Sequence, residues 1–322
     1  MSKKILITGG AGFIGSHLAE KLLEQGEEIF VIDDLSTGSL ENINHLKENQ
    51  NFHFIEGSIL DEKLVAETIE KVVEVYHLAA AVGVKTIIDK PLESFLLNID
   101  GTKNVLEAAT KHEIPVLIAS SSEVYGKNDE LPFKEEDDRV YGSAYHNRWG
   151  YGLSKGSDEF LGLAYFREKK LPVIIVRLFN VIGPRQSGAY GMVIPRFIKQ
   201  ALSGEPITIY GDGNQTRCFG YVEDIVNALI SLMGNSKAYG QIFNVGSDEE
   251  VNIKELAQKI KGLTESKSRI DFIPYEEVYG SDFEDMFHRR PDLSKLKETI
   301  GYQPKFTLEE SLKKIIDYFN AS

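Results

Sequence analysis

The chain has 322 residues, of which 42% are hydrophobic and 26% charged, which is enough for one large globular unit or two coupled domains. Its formal net charge is -13 and no block of lysine and arginine is present, which argues against nucleic acid as a partner. The single cysteine, Cys218, excludes an internal disulfide and a cysteine-based metal site.

The amino-terminal residues carry no long apolar segment. The apolar run at 5–8 lies between Lys4 and Gly9 and is far too short for a signal-peptide core or a membrane-spanning helix. A single cysteine also suits a reducing compartment. The sequence therefore predicts a cytoplasmic protein with no membrane partner.

Short apolar runs rich in β-branched residues alternate with helical patterns through the first half of the chain. The runs occupy 5–8, 29–33, 52–56, 75–78, 116–120 and 173–178. Strands that are buried on both faces have this composition. Between the first two runs, Ile14, Leu18 and Leu22 recur every four residues until Gly26, which predicts a helix and its end. Repetition of this unit predicts an α/β fold with a doubly wound parallel sheet.

A glycine-rich turn joins the first predicted strand to the first predicted helix. Gly10, Gly12 and Gly15 satisfy a G-x-G-x-x-G spacing, and Gly9 offers an alternative first position. Glycines let backbone N–H groups approach a pyrophosphate at a helix N-terminus, where the helix dipole also favours anions. A tight turn without a ligand is the alternative, but the flanking strand and helix favour dinucleotide binding.

Two consecutive carboxylates indicate which dinucleotide is bound. Asp33 ends the second predicted strand 18 residues after Gly15, where a carboxylate can bind both ribose hydroxyls. Asp33 and Asp34 would repel a 2′-phosphate, and no arginine lies nearby in the sequence. The sequence therefore predicts NAD rather than NADP.

The pattern changes beyond about residue 183, where glycine, proline and tyrosine become frequent and the predicted strands shorten. We predict an NAD-binding domain over 1–183 and a smaller mixed α/β substrate domain over 184–322. Segments near 215–247, among them the apolar run that begins at Gln241, are expected to return to the main sheet. The chain is therefore expected to cross between the two domains more than once.

Tyr151 and Lys155 are four residues apart, which places a phenol and an ammonium on one face of a helix. A tyrosine becomes a usable base near neutral pH only if its phenolate is stabilised, and an adjacent cation does so. The pair predicts a site of proton transfer. This spacing also occurs by chance, so the two residues by themselves do not exclude a purely structural role.

Seven stretches of the sequence carry a family resemblance, at 8–15, 33–38, 77–80, 98–102, 121–126, 151–155 and 177–180. Together they resemble the extended short-chain dehydrogenase/reductase family, the NAD-dependent epimerases and dehydratases. The resemblance covers nearly the whole chain and implies a Rossmann-type sheet, bound NAD and a homodimer. It also implies a nucleotide-sugar substrate, here a UDP-sugar, that is oxidised transiently at C4.

The resemblance implies roles for the proton-transfer residues and for a long set of cofactor contacts. Tyr151 is expected to take the C4 hydroxyl proton, Lys155 to bind the nicotinamide ribose and lower the tyrosine pKa, and Ser121 to hydrogen-bond the C4 oxygen. Cofactor contacts are expected from Gly9, Gly12, Phe13, Ile14, Gly15, Asp33, Asp34, Ser36, Thr37, Gly38, Ser58, Ile59, Leu78, Ala79, Ala80 and Asn98, with Tyr151 and Lys155. Ser58 stands where many members carry aspartate, so its hydroxyl is expected to help bind adenine.

Glu123 and Arg148 are expected to decide the fate of the C4 ketone. Sequences that resemble 4,6-dehydratases carry an aspartate where this chain has Ser122, which disfavours dehydration. Sequences that resemble UDP-glucuronate decarboxylases share the Ser-Glu-Val-Tyr-Gly run, and Glu123 is expected to act there as an acid or base. Arg148 resembles the arginine of the same enzymes and suits a sugar carboxylate. The alternatives are an exposed glutamate and a solvated arginine.

Arginines and one aromatic ring are expected to bind the rest of the substrate, because guanidinium groups fit phosphate and a ring can stack on uracil. The candidates are Ser122, Asn180, Arg196, Tyr210, Arg217 and Arg289, with Arg290 as an alternative to Arg289. The seven histidines have no metal-ligand spacing, so no metal is predicted.

Three functions remain open at the level of sequence. The favoured one is decarboxylation of UDP-glucuronate to UDP-xylose, because oxidation at C4 makes a β-keto acid that loses CO₂ without a metal. A 4-epimerase acting on UDP-glucuronate or UDP-glucose would use nearly the same residues. A non-catalytic NAD-binding scaffold is the third, and the presence of Tyr151 and Lys155 argues against it.

Overall fold

The structure, a computed structural model, describes residues 2–81, 89–188, 192–279 and 286–321, and most of its strands belong to one parallel sheet. The strands are β1 Lys4–Thr8, β2 Glu28–Asp33, β3 Phe52–Glu56, β4 Glu74–His77, β5 Val116–Ser121, β6 Val173–Leu178, β7 Val181–Ile182, β8 Ile207–Tyr210, β9 Thr216–Cys218, β10 Gly220–Tyr221, β11 Gln241–Val245, β12 Glu250–Asn252 and β13 Ile270–Ile273. The α-helices are α1 Phe13–Glu24, α2 Glu62–Ile69, α3 Pro91–Lys111, α4 Arg148–Ala164, α5 Val193–Ser203, α6 Val222–Met233, α7 Ile253–Leu263, α8 Tyr275–Tyr279, α9 Ser294–Ile300 and α10 Leu308–Ala321.

The central sheet has seven parallel strands in the order β3-β2-β1-β4-β5-β6-β11. Strand order reverses between β1 and β4, whose last residues, Thr8 and His77, are paired in register. A reversal of this kind leaves a crevice at the carboxyl ends of the strands, where such sheets bind ligands. The predicted doubly wound parallel sheet is confirmed.

Alternation along β1 explains how the sheet is covered on both faces. Ile5 and Ile7 pack with apolar residues of α1 and α6, whereas Leu6 packs with residues of α2 and α3 on the opposite face. All three side chains are at most 1% exposed. A strand buried on both faces reads as a continuous apolar run, which is why these strands could be located from sequence.

The carboxyl-terminal part adds small sheets and a third core. β8 pairs with β13, β9 with β12 and β7 with β10, while Phe197, Ile209, Leu256 and Leu312 pack together between the helices. The run that begins at Gln241 forms β11 and pairs with β6 of the main sheet. The predicted boundary between two domains at residue 183 stays a prediction. Within the described residues, none of the helices combines the length and the apolar character needed to cross a bilayer.

Candidate active site

A cavity of about 890 Å³ lies at the carboxyl ends of the central strands. It is lined by residues that end or follow four of these strands, at 32–34, 78–80, 119–121 and 178–180. Its volume is that of a site for a cofactor or a drug-sized ligand. The cavity therefore occupies the crevice that the strand order creates.

The glycine-rich turn forms one wall of this cavity. Gly9 has φ +73°, and the N–H of Gly12 donates to its carbonyl at 3.1 Å. A Cβ at Gly15 would lie 2.2 Å from the Gly9 oxygen, so the turn and α1 can approach each other only without that side chain. α1 then begins at Phe13 with no side-chain cap on its first N–H groups. Uncapped N–H groups at a helix N-terminus bind anions well, so the turn fits the pyrophosphate of a dinucleotide.

Gly15→Ala is predicted to destabilise the protein by about 1–3 kcal/mol, the range for overpacking, and to weaken NAD binding because the turn must move. Gly262→Ala is the matched control, because a Cβ at Gly262 in α7 meets nothing within 4 Å. Urea unfolding and NAD titration of both variants test this. Equal stability and equal NAD affinity in the two variants would contradict the proposed fit of the turn.

Asp33 is fixed at the end of β2 beside this turn. Its Oδ2 accepts from the N–H of Ala11 and its Oδ1 from the N–H of Leu35, both at 2.9 Å. Burial raises the pKa of Asp33, and these hydrogen bonds act in the opposite direction. The side chain lines the cavity together with Asp34. A carboxylate held in this place suits ribose hydroxyls and opposes a 2′-phosphate.

The proton-transfer residues meet where α4 packs against the turn that follows β5. A Cβ at Gly152 would lie 2.5 Å from the carbonyl oxygen of Glu123, so glycine lets the helix approach this turn closely. A hydrogen bond joins Ser121 and Tyr151. Ser121, Glu123, Arg148 and Tyr151 all line the cavity. Four residues singled out from sequence are thus brought together.

Glu123 is an ionised carboxylate held between two arginines. It forms an ion pair with Arg148, and its Oε1 accepts from Nη1 of Arg289 at 2.6 Å. Burial raises the pKa of Glu123, but the charges of Arg148 and Arg289 outweigh this effect and hold that pKa well below its usual range. The two arginines therefore favour the ionised form of Glu123, and its expected role as an acid or base stays a prediction. Arg289 contacts Glu123, whereas the sequence placed it on the diphosphate.

Tyr151 differs from expectation in its acidity. Burial raises the pKa of Tyr151 above its ordinary value, and the negative charges of Glu123 and Asp158 raise it further, while the Ser121 hydrogen bond lowers it. The Nζ of Lys155 lies 2.7 Å from Oδ2 of Asp158. Because this ammonium is paired with a carboxylate, the expected lowering of the tyrosine pKa by Lys155 stays a prediction.

Three predicted cofactor residues lie outside the cavity lining, in contrast to the others. Lys155 is only 1% exposed. Asn98 is also 1% exposed, accepts from the N–H of Ala81 and donates to Ser154, so it joins the loop after β4 to α4. The Ser58 hydroxyl accepts from the N–H of Leu60. The predicted residues that do line the cavity are Gly9, Gly12, Phe13, Ile14, Gly15, Asp33, Asp34, Ser36, Thr37, Gly38, Ile59, Leu78, Ala79, Ala80 and Tyr151.

The remaining substrate candidates also line the cavity, two of them just after β5 and β6 and three from the carboxyl-terminal segments. They are Ser122, Asn180, Arg196, Tyr210 and Arg217. The guanidinium of Arg196 lies 3.7 Å from the ring centre of Tyr210. Sequence reasoning missed Arg185, Tyr275, Tyr318 and Phe319, which also line this cavity. Tyr318 and Phe319 lie on α10, where only an apolar helical pattern is visible in the sequence.

No cluster of three or more histidine, cysteine, aspartate or glutamate side chains suited to a metal ion is found within the part of the chain that the structure describes. The cavity is lined by hydrogen-bond donors, ionised groups and the glycine turn. This set fits a dinucleotide and a second, anionic ligand.

Comparison with known proteins shows which enzymes this chain is similar to. The family described as GDP-mannose 4,6 dehydratase matches residues 6–315. A UDP-N-acetyl-α-D-glucosaminuronate decarboxylase from Bacillus cytotoxicus is 46% identical, covering 99% of this chain and 98% of the relative. UDP-glucuronic acid decarboxylase 1 from Danio rerio is 39% identical, covering 99% and 73% of the two chains.

Solved structures agree on the fold. One is a UDP-glucuronic acid 4-epimerase from Bacillus cereus in complex with UDP-glucuronic acid and NAD. Its TM-score is 0.89 at 31% identity, and the match covers 99% of each chain. A UDP-glucose 4-epimerase from Thermotoga maritima has a TM-score of 0.90 at 32% identity, with 99% of both chains covered. The chain belongs to the NAD-dependent epimerase/dehydratase family of the extended short-chain dehydrogenases/reductases, as its motifs indicated.

Proposed function

We propose that this protein is an NAD-dependent UDP-hexuronate decarboxylase that converts UDP-glucuronate to UDP-xylose. The observation that carries the proposal is the pair of guanidinium groups, Arg148 and Arg289, that meet one carboxylate beside Tyr151 in the cavity. Guanidinium pairs suit a sugar carboxylate. The decarboxylase names of the 46% and 39% identical relatives support the same reaction.

Oxidation at C4 needs a base and a group that holds the C4 oxygen. Tyr151, in its phenolate form, takes the proton of the C4 hydroxyl, and Ser121, its hydrogen-bond partner, donates to the oxygen that becomes the ketone. The glycine turn and Asp33 would hold NAD, whose nicotinamide would supply the capacity to accept and return a hydride. The residues of the chain therefore orient the alcohol and move its proton.

Loss of CO₂ follows from the position of the ketone. The C5–C6 bond breaks, C6 leaves as CO₂, and the electron pair delocalises into an enolate whose oxygen is stabilised by Ser121 and Tyr151. Arg148 and Arg289 carry two positive charges against one negative charge on Glu123, so they orient the carboxylate electrostatically. A proton added at C5 completes the step, from water that Glu123 and these arginines hold.

Incubation with UDP-glucuronate and NAD tests this reaction, with the product identified by NMR. UDP-xylose is the expected product. A product that retains C6 and is inverted at C4 would replace the proposal with 4-epimerisation, the reaction named for the Bacillus cereus structure.

A second candidate substrate carries an acetamido group at C2 of the hexuronate. The 46% identical relative is named for UDP-N-acetyl-α-D-glucosaminuronate, and this name is the observation in its favour. The two substrates share the C4 hydroxyl and the C6 carboxylate, so the same chain residues would act on both. Comparison of kcat/KM for the two UDP-sugars decides between them.

We also propose that the protein forms a cytoplasmic homodimer through α3 and α4. These helices pack together and carry exposed apolar side chains, among them Leu92 at 71%, Leu153 at 47% and Phe160 at 71% exposure. Apolar groups clustered on adjacent helices favour association with a second copy. The buried free thiol of Cys218 suits a reducing cytoplasm.

Phe160→Asp is predicted to convert the dimer into a monomer, because a charge buried at an interface costs several kcal/mol. Phe272→Asp is the control, since Phe272 is 49% exposed on β13, away from both helices. Sedimentation velocity measures the outcome. A dimer that persists in the first variant, or a wild-type monomer, would refute this interface.

A further inference from the structure

A chain of buried polar side chains connects Lys155 to the amino-terminal turn. Nζ of Lys155 lies 2.7 Å from Oδ2 of Asp158, and Thr102 faces the same carboxyl group and lowers its pKa. The Thr102 hydroxyl lies 3.1 Å from Nε2 of His77, and Nδ1 of His77 lies 2.8 Å from the hydroxyl of Thr8. The chain therefore crosses from α4 through α3 and β4 to the end of β1.

Burial makes this network more than a surface ion pair. Asp158 and Thr102 are 0% exposed, and Lys155 and His77 are 1% exposed. Charges withdrawn from water to this degree persist only when they are paired and hydrogen-bonded. Burial, with the charge of Lys155, lowers the pKa of His77 to about 3, so its ring is neutral and bridges the two threonines.

The mechanism proposed above uses Tyr151 and Ser121 but gives Lys155 and its partner Asp158 no task. We propose that Asp158 is a positioning residue that anchors the ammonium of Lys155 behind the cavity, beside Thr102 and His77. The proposal rests on the NAD-dependent function, because it assigns the geometry of the lysine expected to meet the nicotinamide ribose. Asp158 itself does not line the cavity.

The carboxylate of Asp158 also affects Tyr151, the proposed base. Its negative charge disfavours the phenolate of Tyr151. The titratable and charged groups that face this region from the packed elements are Tyr151, Arg148 and Glu159 of α4, Glu123 of the turn after β5, His77 of β4 and Arg177 of β6. Glu159 is already bound by Arg177, with contacts at 2.9 and 3.0 Å, so it cannot replace Asp158 as the partner of Lys155.

Two substitutions separate position from charge in the full-length protein. Asp158→Ala removes both, whereas Asp158→Asn keeps an oxygen that accepts from Lys155 and removes only the charge. Asp224 provides the matched controls Asp224→Ala and Asp224→Asn, because it is 4% exposed and accepts from the backbone N–H groups of Lys305 and Phe306. The controls should lower thermal stability without changing nucleotide binding.

Calorimetric titration of nucleotide-free protein with NAD is the first measurement. Asp158→Ala is expected to raise the Kd for NAD about tenfold, the effect of losing a charge-assisted hydrogen bond, while Asp158→Asn stays within about threefold of wild type. A Kd within about threefold of wild type in Asp158→Ala overturns the positioning role. This readout does not depend on which UDP-sugar is turned over, so it is independent of the proposed reaction.

The pH profile of kcat is the second measurement and remains informative if Asp158→Ala fails to fold. In Asp158→Asn the acid limb is expected to move to lower pH, because one negative charge that opposes the Tyr151 phenolate is gone. An acid limb that coincides with wild type overturns the electrostatic part of the proposal. A purely structural aspartate would change stability and leave this limb in place, as expected for Asp224→Asn.

Discussion

Tyr151→Phe is expected to lower kcat about a thousandfold, within the range that general-base catalysis supplies, while the protein remains folded. The phenol is the only group that the proposed reaction uses to take the C4 proton, and its ring remains in the variant. Affinity for the UDP-sugar should change little, since one hydrogen bond with Ser121 is lost. Steady-state kinetics and an NAD titration measure both effects.

Tyr145→Phe is the control for this experiment, because Tyr145 is 97% exposed shortly before α4. Its kcat should equal that of wild type. Retention of more than a tenth of the wild-type kcat in Tyr151→Phe would show that another group removes the proton.

The acidity of Tyr151 sets the direction of the pH dependence. Burial and the charges of Glu123 and Asp158 raise its pKa, so the phenolate form grows as the pH rises. Activity is therefore expected to increase from neutral to alkaline pH until the phenol is titrated or the fold is lost. A profile of kcat/KM that already falls between pH 7 and 8 would contradict this assignment.

Glu123→Gln is expected to have the second largest effect. Arg148 and Arg289 lose the charge that holds them together, so the free energy of unfolding should fall by about 3 kcal/mol, as for a broken buried ion pair. Displacement of the guanidinium groups should also lower kcat about a hundredfold, the effect of a small misplacement of catalytic groups. Urea unfolding and kinetics on UDP-glucuronate measure the two losses.

Glu74→Gln is the matched control for Glu123→Gln. Glu74 pairs with Lys3 at 2.6 Å, and its side chain is 12% exposed, as is that of Glu123. Its partner is half exposed, so a loss below about 1 kcal/mol and unchanged kinetics are expected. If Glu123→Gln behaves in the same way, the carboxylate does not organise the two arginines.

Local sequence signals located most of the nucleotide-binding half. The predicted runs 52–56 and 173–178 coincide with β3 and β6, the run 75–78 is shifted by one residue from β4, and the other three differ from their strands by one residue at one end. Their boundaries were visible because strands buried on both faces have short apolar runs bordered by glycine and charged residues. The glycine turn and Asp33 likewise depend on residues close together in sequence.

The ionisation of the site could not be derived in the same way. Arg289 and Glu123 are separated by 166 residues, and no local pattern indicates that they meet. Their contact holds Glu123 as an ionised carboxylate, and its role as an acid or base stays a prediction. The pairing of Lys155 with Asp158 could have been predicted, since Asp158 lies three residues after Lys155 on the same helix. Only the fold shows that this pair is withdrawn from water, with Lys155 1% and Asp158 0% exposed.

Capture of CO₂ from the substrate tests the central claim most directly. UDP-glucuronate labelled with ¹³C at C6, incubated with the protein and NAD, is predicted to release one equivalent of ¹³CO₂ for each UDP-xylose formed, as measured by mass spectrometry. Tyr151→Phe should release it about a thousandfold more slowly. Consumption of the substrate with the label retained in a UDP-sugar would contradict decarboxylation and assign 4-epimerisation instead.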